Sequence, residues 1–317
     1  MSSPSASSPD LIAGRERALR SLELSVKRKL EGFLHGEITG LRSGPGSEPN
    51  EARPYQAGQD DVRRMDWNVT ARSLEPHVRA PLAERELETW ALLDASASMD
   101  FGTALSEKRD LAIAIVGTVG LLADRPGNSL GVRVALGDQV RRIPAAGGSA
   151  ALRRTLRTLL SLPRATPGEH PATDLATAIT RLDREHPRPG LRVVVSDFHT
   201  EGWADALRRL GARHEVIAVE VLDPRELDLP EVGLLTVVDP ETGRRREVQT
   251  SSKKLRRRYA DAMTAHREHT AQAIRASGAA HLVLRTDTDW VRDVAAFATA
   301  RKRAAARRTP RGRTGTR

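Results

Sequence analysis

From residue 86 onward the chain alternates short apolar runs with longer stretches of helical periodicity. Thr89–Leu93, Leu130–Leu136, Leu191–Val195, Val216–Val221 and His281–Leu284 are too short for helices and carry the Val, Leu and Ile of buried strands. Between them, residues 106–124, 148–162, 174–184, 203–210, 252–277 and 290–308 place apolar side chains at helical spacing. The 106–124 segment is apolar on most of its faces, which predicts burial. Thr173 and Asp174 both suit the N-terminus of the helix that follows them.

Strand–helix alternation predicts an α/β fold with a mainly parallel sheet covered by helices on both faces. Gln139–Ile143 is expected to pair back on its predecessor as a hairpin. Residues 232–249 break the alternation and read as an inserted β-hairpin turning at Asp239–Gly243. Ahead of this region lie a polar leader (1–10), a segment with an amphipathic helix (11–35) and a charged stretch, together spanning 11–85. The main domain is expected over 86–300, with a basic disordered tail at 301–317.

Composition narrows the chemistry. Hydrophobic residues make up 39% and aromatics only 3%, so the core is aliphatic. There is no cysteine among the 317 residues, which excludes disulfides, thiol nucleophiles and cysteine-based metal sites. No apolar run reaches the roughly 18–20 residues of a membrane span. The leader has no apolar core of a signal peptide, so a cytoplasmic location is expected. Of the net charge of +10, eight surplus positive charges fall in residues 301–317. That tail suits weak binding to nucleic acid or an anionic surface, and it carries no aromatic residue for stacking on bases.

In an open parallel sheet, function gathers at the carboxyl ends of the strands. Directly after the first strand of the domain stands Asp94-Ala95-Ser96-Ala97-Ser98. On an extended loop, that spacing turns three oxygen-bearing side chains to one side. Thr173 precedes a helix and Asp197 ends a strand, so both are expected on the same rim. The five form a hard-oxygen set suited to Mg2+, or to Mn2+ or Ca2+. His199 follows closely and reads as a loop surface residue, and His266 and His269 read as an exposed helix face. No Walker A, His-Glu-x-x-His or Gly-x-Ser-x-Gly motif is present, so a metal-dependent hydrolase is the weaker reading. The Asp-x-Ser-x-Ser, Thr and Asp order resembles the metal-ion-dependent adhesion site of von Willebrand factor A domains.

A second cluster comprises Arg53, Tyr55, Gly58, Asp60, Asp61, Arg63, Asp66, Trp67 and Arg72. Charges of both signs around two aromatics suit a salt-bridged clamp or a partner-contact surface, with Arg planes stacking on Trp67 or pairing with the aspartates. Together with the metal-type motif, this stretch resembles the domain-of-unknown-function 58 (DUF58) family over roughly residues 35–235. Gln59 adds one residue between Gly58 and the aspartate pair, and Met65 stands where that family has Ile. The resemblance implies a von Willebrand factor A-like, Rossmann-like fold. The five-oxygen set with no poised base beside it reads as binding rather than catalysing, a cation bridging to an Asp or Glu of a partner; the resemblance implies that this partner is a MoxR-type AAA+ ATPase.

Overall fold

The computed structural model describes residues 52–56, 61–73, 75–79, 88–123, 127–165, 168 and 171–308. The leader, the 11–35 helix expected from the sequence, Gly58, Asp60 and the end of the basic tail lie outside these residues.

The charged N-terminal stretch has more regular structure than its pattern foretold. Strand β1 (Ala52–Pro54) pairs antiparallel with β2 (His77–Arg79). Between them lie a 3-10 turn (Val62–Arg64) and helix α1 (Trp67–Ser73). Three-residue strands are too short to show a period of two, which is why the sequence read as irregular here.

The main sheet has six strands: β3 (Glu88–Asp94), β4 (Ser129–Leu136), β5 (Gln139–Ala146), β6 (Leu191–Ser196), β7 (Glu215–Leu222) and β10 (Ala280–Arg285). Their spatial order is β10-β7-β6-β3-β4-β5. All neighbours run parallel except the hairpin partner β5 at one edge. The inserted hairpin is β8 (Leu234–Val238) with β9 (Arg245–Gln249), forming its own two-stranded sheet.

Helices cover both faces. On one side α2 (Lys108–Leu122), α3 (Ser149–Leu160) and α8 (Trp290–Arg308) pack on Ala91, Leu93, Val193, Val195, Val219 and Leu284. On the other, α4 (Leu175–Glu185), α5 (Trp203–Gly211) and α7 (Lys253–Ala276) pack on Trp90, Leu92, Val194 and Ala218. A strand buried on both faces needs an unbroken apolar run, and β3 and β6 supply one. Each fully buried aliphatic side chain contributes about 1.5–3 kcal/mol. Helix α2, buried from Leu111 through Gly120, is thus a principal source of stability.

At the amino edge of the sheet Trp90 stacks on His186, with ring centroids 3.6 Å apart. The fit to β4 demands glycine at 131, because a Cβ there would meet the indole at 2.5 Å. Arg192, inside β6, is fully buried and donates to the carbonyls of Glu88, His186 and Arg188 at 2.8–2.9 Å.

Helix α8 continues to Arg308, so the first residues of the expected tail are helical. Arg301 within it is ion-paired with Glu215 on β7. Among the described residues no helix is long and apolar enough to cross a membrane.

Candidate functional site

Chain direction across the sheet reverses between β3 and β6. From β3 the chain moves outward to β4 and β5, then returns to β6 and proceeds to β7 and β10. The loops leaving the carboxyl ends of β3 and β6 therefore diverge and open a crevice, the usual ligand position in doubly wound sheets.

Asp94 is the last residue of β3 and Asp197 directly follows β6; both are almost fully buried. Beyond Asp94 the backbone does not stay extended as the spacing argument assumed. It turns into a one-turn 3-10 helix (Ala97–Asp100) with Ser96 at its N-cap. The turn still gathers the oxygens. Asp94 Oδ1 accepts from the Ser96 N–H at 2.9 Å, and the Ser96 and Ser98 hydroxyls are 3.0 Å apart. Asp94 Oδ2 accepts from the Ser196 hydroxyl at 2.6 Å, which ties the two strand ends together.

Thr173 is buried at the same rim and does not cap α4. Asp174 takes that role by accepting from the Thr177 N–H at 2.8 Å. The Thr173 hydroxyl accepts instead from the Gly137 N–H at 3.0 Å, and Thr173 shares a small cavity of about 10 Å³ with Ser96 and Ala97.

Two anchors fix the surrounding loops. Asp100 accepts from Arg109 at 3.0 Å and from the Ala165 N–H at 2.6 Å, holding the segment that leads to Thr173. Asp223, fully buried after β7, accepts from Thr103 N–H and hydroxyl at 2.8 and 2.6 Å and from the Thr286 hydroxyl at 2.7 Å.

The electrostatics separate the two aspartates. Burial, and next the Asp197 charge, push the Asp94 carboxyl up to about 6, against hydrogen bonds from Ser196 and Ser96. Burial acts on Asp197 in the same direction, yet its carboxyl lies well below the usual range. The ammonium of Lys108 is the main reason, with His199 and Ser98 adding to it. Lys108, the first residue of α2, is fully buried and reaches Asp197 at 2.8 Å and Glu226 at 2.5 Å.

Neither Lys108 nor Glu226 stood out in the sequence as part of the site. Glu226 belongs to α6 (Pro224–Leu227), whose signal is the capping box Asp223-Pro224-Arg225-Glu226. His199 is half-buried, not a plain surface residue: its ring nitrogen lies 3.9 Å from Asp197, and its ring lies edge-on to that of His266 with centroids 5.5 Å apart. Asp197, His199 and Glu226 offer ligand atoms within 4.8 Å of one another, but the Lys108 ammonium already supplies positive charge there.

A further carboxylate comes from the tip of the inserted hairpin. Glu241 lines the same cavity as Ser96 and Thr173, and burial raises its carboxyl above the ordinary range. The hairpin was legible in the sequence; its folding back onto the rim was not.

The second cluster is arranged differently from a stacked clamp. Asp61 caps the 3-10 turn by accepting from the Arg63 N–H at 3.0 Å. Asp66 is buried and caps α1, accepting from the N–H groups of Asn68 and Val69 at 3.1 and 3.3 Å. Tyr55 is half-buried, and Arg63 and Arg72 are exposed. Trp67 is 68% exposed, and among the described residues the cation–π contacts fall on Trp90 and Phe297 instead. Arg53 lies on β1.

The profile described as "Protein of unknown function DUF58" matches residues 51–269. The uncharacterized protein Rv1480 of Mycobacterium tuberculosis is 50% identical over 289 residues, covering 91% of this chain and 90% of that one. Among solved structures, the conserved hypothetical protein BatB from Bacteroides thetaiotaomicron is similar at a TM-score of 0.42 and 14% identity, over 70% of this chain and 99% of that one. The SpRpn10 VWA domain is similar at a TM-score of 0.36 and 12% identity, over 66% and 93%.

Proposed function

This chain belongs to the DUF58 family, and on that premise we propose that it is a non-enzymatic interaction module that binds a partner carboxylate through a divalent cation. Asp94, Ser96, Ser98 and Thr173 would hold the ion, with Asp197 completing the set. The observation that supports the reading is that Ser96 and Thr173 line one small cavity at the switch point of the sheet, with Asp94 and Ser98 hydrogen-bonded to Ser96.

The donor set fits the group. All its atoms are hard oxygens, as Mg2+, Mn2+ and Ca2+ require. A buried carboxylate held up to about 6 by its surroundings gains most from a nearby cation. Three of the five donors are neutral, and Asp197 shares its charge with Lys108. The protein's own ligands therefore leave part of a divalent charge uncompensated, which favours an incoming acidic side chain. The ion's role is to supply that Lewis-acid contact. Ser196 orients Asp94, and Lys108 holds Asp197 and keeps it ionised.

The partner suggested by the family resemblance is a MoxR-type AAA+ ATPase presenting an Asp or Glu. The test is binding of such an ATPase to the full chain in Mg2+, in chelator, and with Asp94→Ala. Binding in Mg2+ that weakens at least tenfold in both other conditions supports the reading. Equal binding in all three rejects it.

A further inference from the structure

The inserted hairpin ends in a tight, internally braced turn. Asp239 accepts from the N–H groups of Glu241 and Thr242 at 3.0 and 3.3 Å and from the Thr242 hydroxyl at 2.6 Å. The Gly243 N–H closes the turn onto the Asp239 carbonyl at 2.8 Å, with Gly243 at φ +67°. Pro240 stiffens the chain just before Glu241. The foot of the hairpin is equally fixed. Buried Thr250 donates its hydroxyl to the Gly233 carbonyl at 2.8 Å and accepts from the Val232 N–H at 3.1 Å.

Between foot and tip the hairpin is not absorbed into the core: Leu234 and Val238 are 63% and 43% exposed. The tip, by contrast, is docked. The Gly168 N–H donates to the Pro240 carbonyl at 3.3 Å, and a Cβ on Gly168 would lie 3.0 Å from the Thr242 carbonyl oxygen. The docked turn carries one carboxylate toward the rim, that of Glu241. It lines one small cavity together with Ser96 and Thr173, two of the residues assigned above to the ion.

A hairpin held at its foot and braced at its tip therefore presents an acid at the position where an acidic partner would bind. We propose that Glu241 is the chain's own ligand to the cation site, an internal carboxylate that a partner's Asp or Glu must displace. This proposal rests on the metal reading above. It gives the hairpin a role: the tip sets a threshold that only a partner with further contacts exceeds, because an intramolecular ligand competes at high effective concentration. A partner that replaces Glu241 also frees the tip from the cavity it shares with Ser96 and Thr173, so recognition by this site is coupled to release of the hairpin.

The test uses the full chain loaded with Tb3+, a hard-oxygen probe whose luminescence lifetimes in H2O and D2O count the waters on the ion. Wild type, Asp94→Asn, Glu241→Gln, Glu241→Asp and the exposed control Glu247→Gln are compared, with folding checked by circular dichroism. The expected result is a wild-type signal lost in Asp94→Asn. Glu241→Gln retains the signal, binds about 5–10-fold more weakly and gains about one coordinated water. Glu241→Asp falls between the two, and Glu247→Gln matches wild type. A peptide of alanines with one central glutamate binds the loaded Glu241→Gln protein more tightly than loaded wild type. Equal hydration and equal peptide affinity in wild type and Glu241→Gln overturn the internal-ligand proposal and leave the metal reading standing. A wild-type signal that Asp94→Asn does not remove, or no signal at all, overturns the metal reading and this proposal with it.

Discussion

Lys108 and Asp197 form an ion pair closed off from solvent: Nζ lies 2.8 Å from Oδ2, and the side chains are 0% and 3% exposed. The same ammonium reaches Glu226, so one cation serves two carboxylates from two separate loops. A charge buried this deeply is tolerated only while its partners remain ionised. The pair thus locks the end of β6, the start of α2 and the short helix α6 into one arrangement beneath the rim.

Removing the ammonium is expected to be costly. Lys108→Met leaves Asp197 and Glu226 facing each other in a dry site and lowers stability by about 3–5 kcal/mol in denaturant unfolding. Asp197, His199 and Glu226 then have ligand atoms within 4.8 Å and no internal cation. Added Mn2+ or Zn2+ is expected to restore part of the lost stability in this variant. A loss below 1 kcal/mol with no cation effect contradicts this account of the pair.

Asp94 is the converse case, a buried carboxylate with a like charge nearby and no ammonium of its own. Asp94→Asn removes the cost of holding that charge and keeps the side-chain shape. In metal-free protein at pH 7.5 it is expected to raise stability by about 1–2 kcal/mol. It also abolishes any shift of the thermal midpoint caused by Mg2+. A variant less stable than wild type without metal argues against the electrostatic description of this rim.

Asp66 and Trp67 are neighbours in sequence with opposite duties. Asp66→Ala deletes a buried helix cap and is expected to cost about 1 kcal/mol. Trp67→Ala, at an exposed position, is expected to change stability by less than 0.5 kcal/mol. If the surface around Trp67 meets a partner, its fluorescence shifts on binding and the alanine variant binds more weakly. A large stability loss in Trp67→Ala identifies it as a clamp instead.

His186, stacked on Trp90, is pushed down to about 4 by burial and by the Arg133 charge, with Glu88 opposing. Its folded pKa lies below the ordinary value, so the unfolded chain binds more protons between pH 6.5 and 4. Stability present above pH 6.5 is therefore lost as the pH falls through this window, by about 1–2 kcal/mol from this group. Thermal unfolding across pH 4–7 is expected to show a shallower slope in His186→Gln. An unchanged slope shows that other groups set the acid response.

The sheet was readable because its strands need little context. Val193 to Val195 and Trp90 to Leu93 are apolar on both faces, a pattern that fits only a strand covered twice. The hairpin announced itself through Asp239, Pro240 and Gly243, whose turn chemistry is local. The position of Asp94 after β3 and of Asp197 after β6 followed from the parallel topology. What stayed hidden depends on distance in the chain. A lysine opening an apolar helix looks like an ordinary exposed charge until residues 197 and 226 close over it. Helix α6 is a single turn, too brief for periodicity, and only its capping box marks it. The choice between Thr173 and Asp174 as helix cap rests on a backbone angle that two adjacent capping residues do not reveal. Glu241 sits in a turn where acids are common, and its placement comes from packing of the tip against residue 168.

The proposed function depends on a cation held among Asp94, Ser96, Ser98 and Thr173. Anomalous diffraction from crystals grown with Mn2+ tests this most directly. The predicted result is one anomalous peak among the Ser96, Ser98 and Thr173 hydroxyls beside Asp94, absent in Asp94→Asn crystals. A map with no peak there, or with its peak between Asp197, His199 and Glu226, contradicts it.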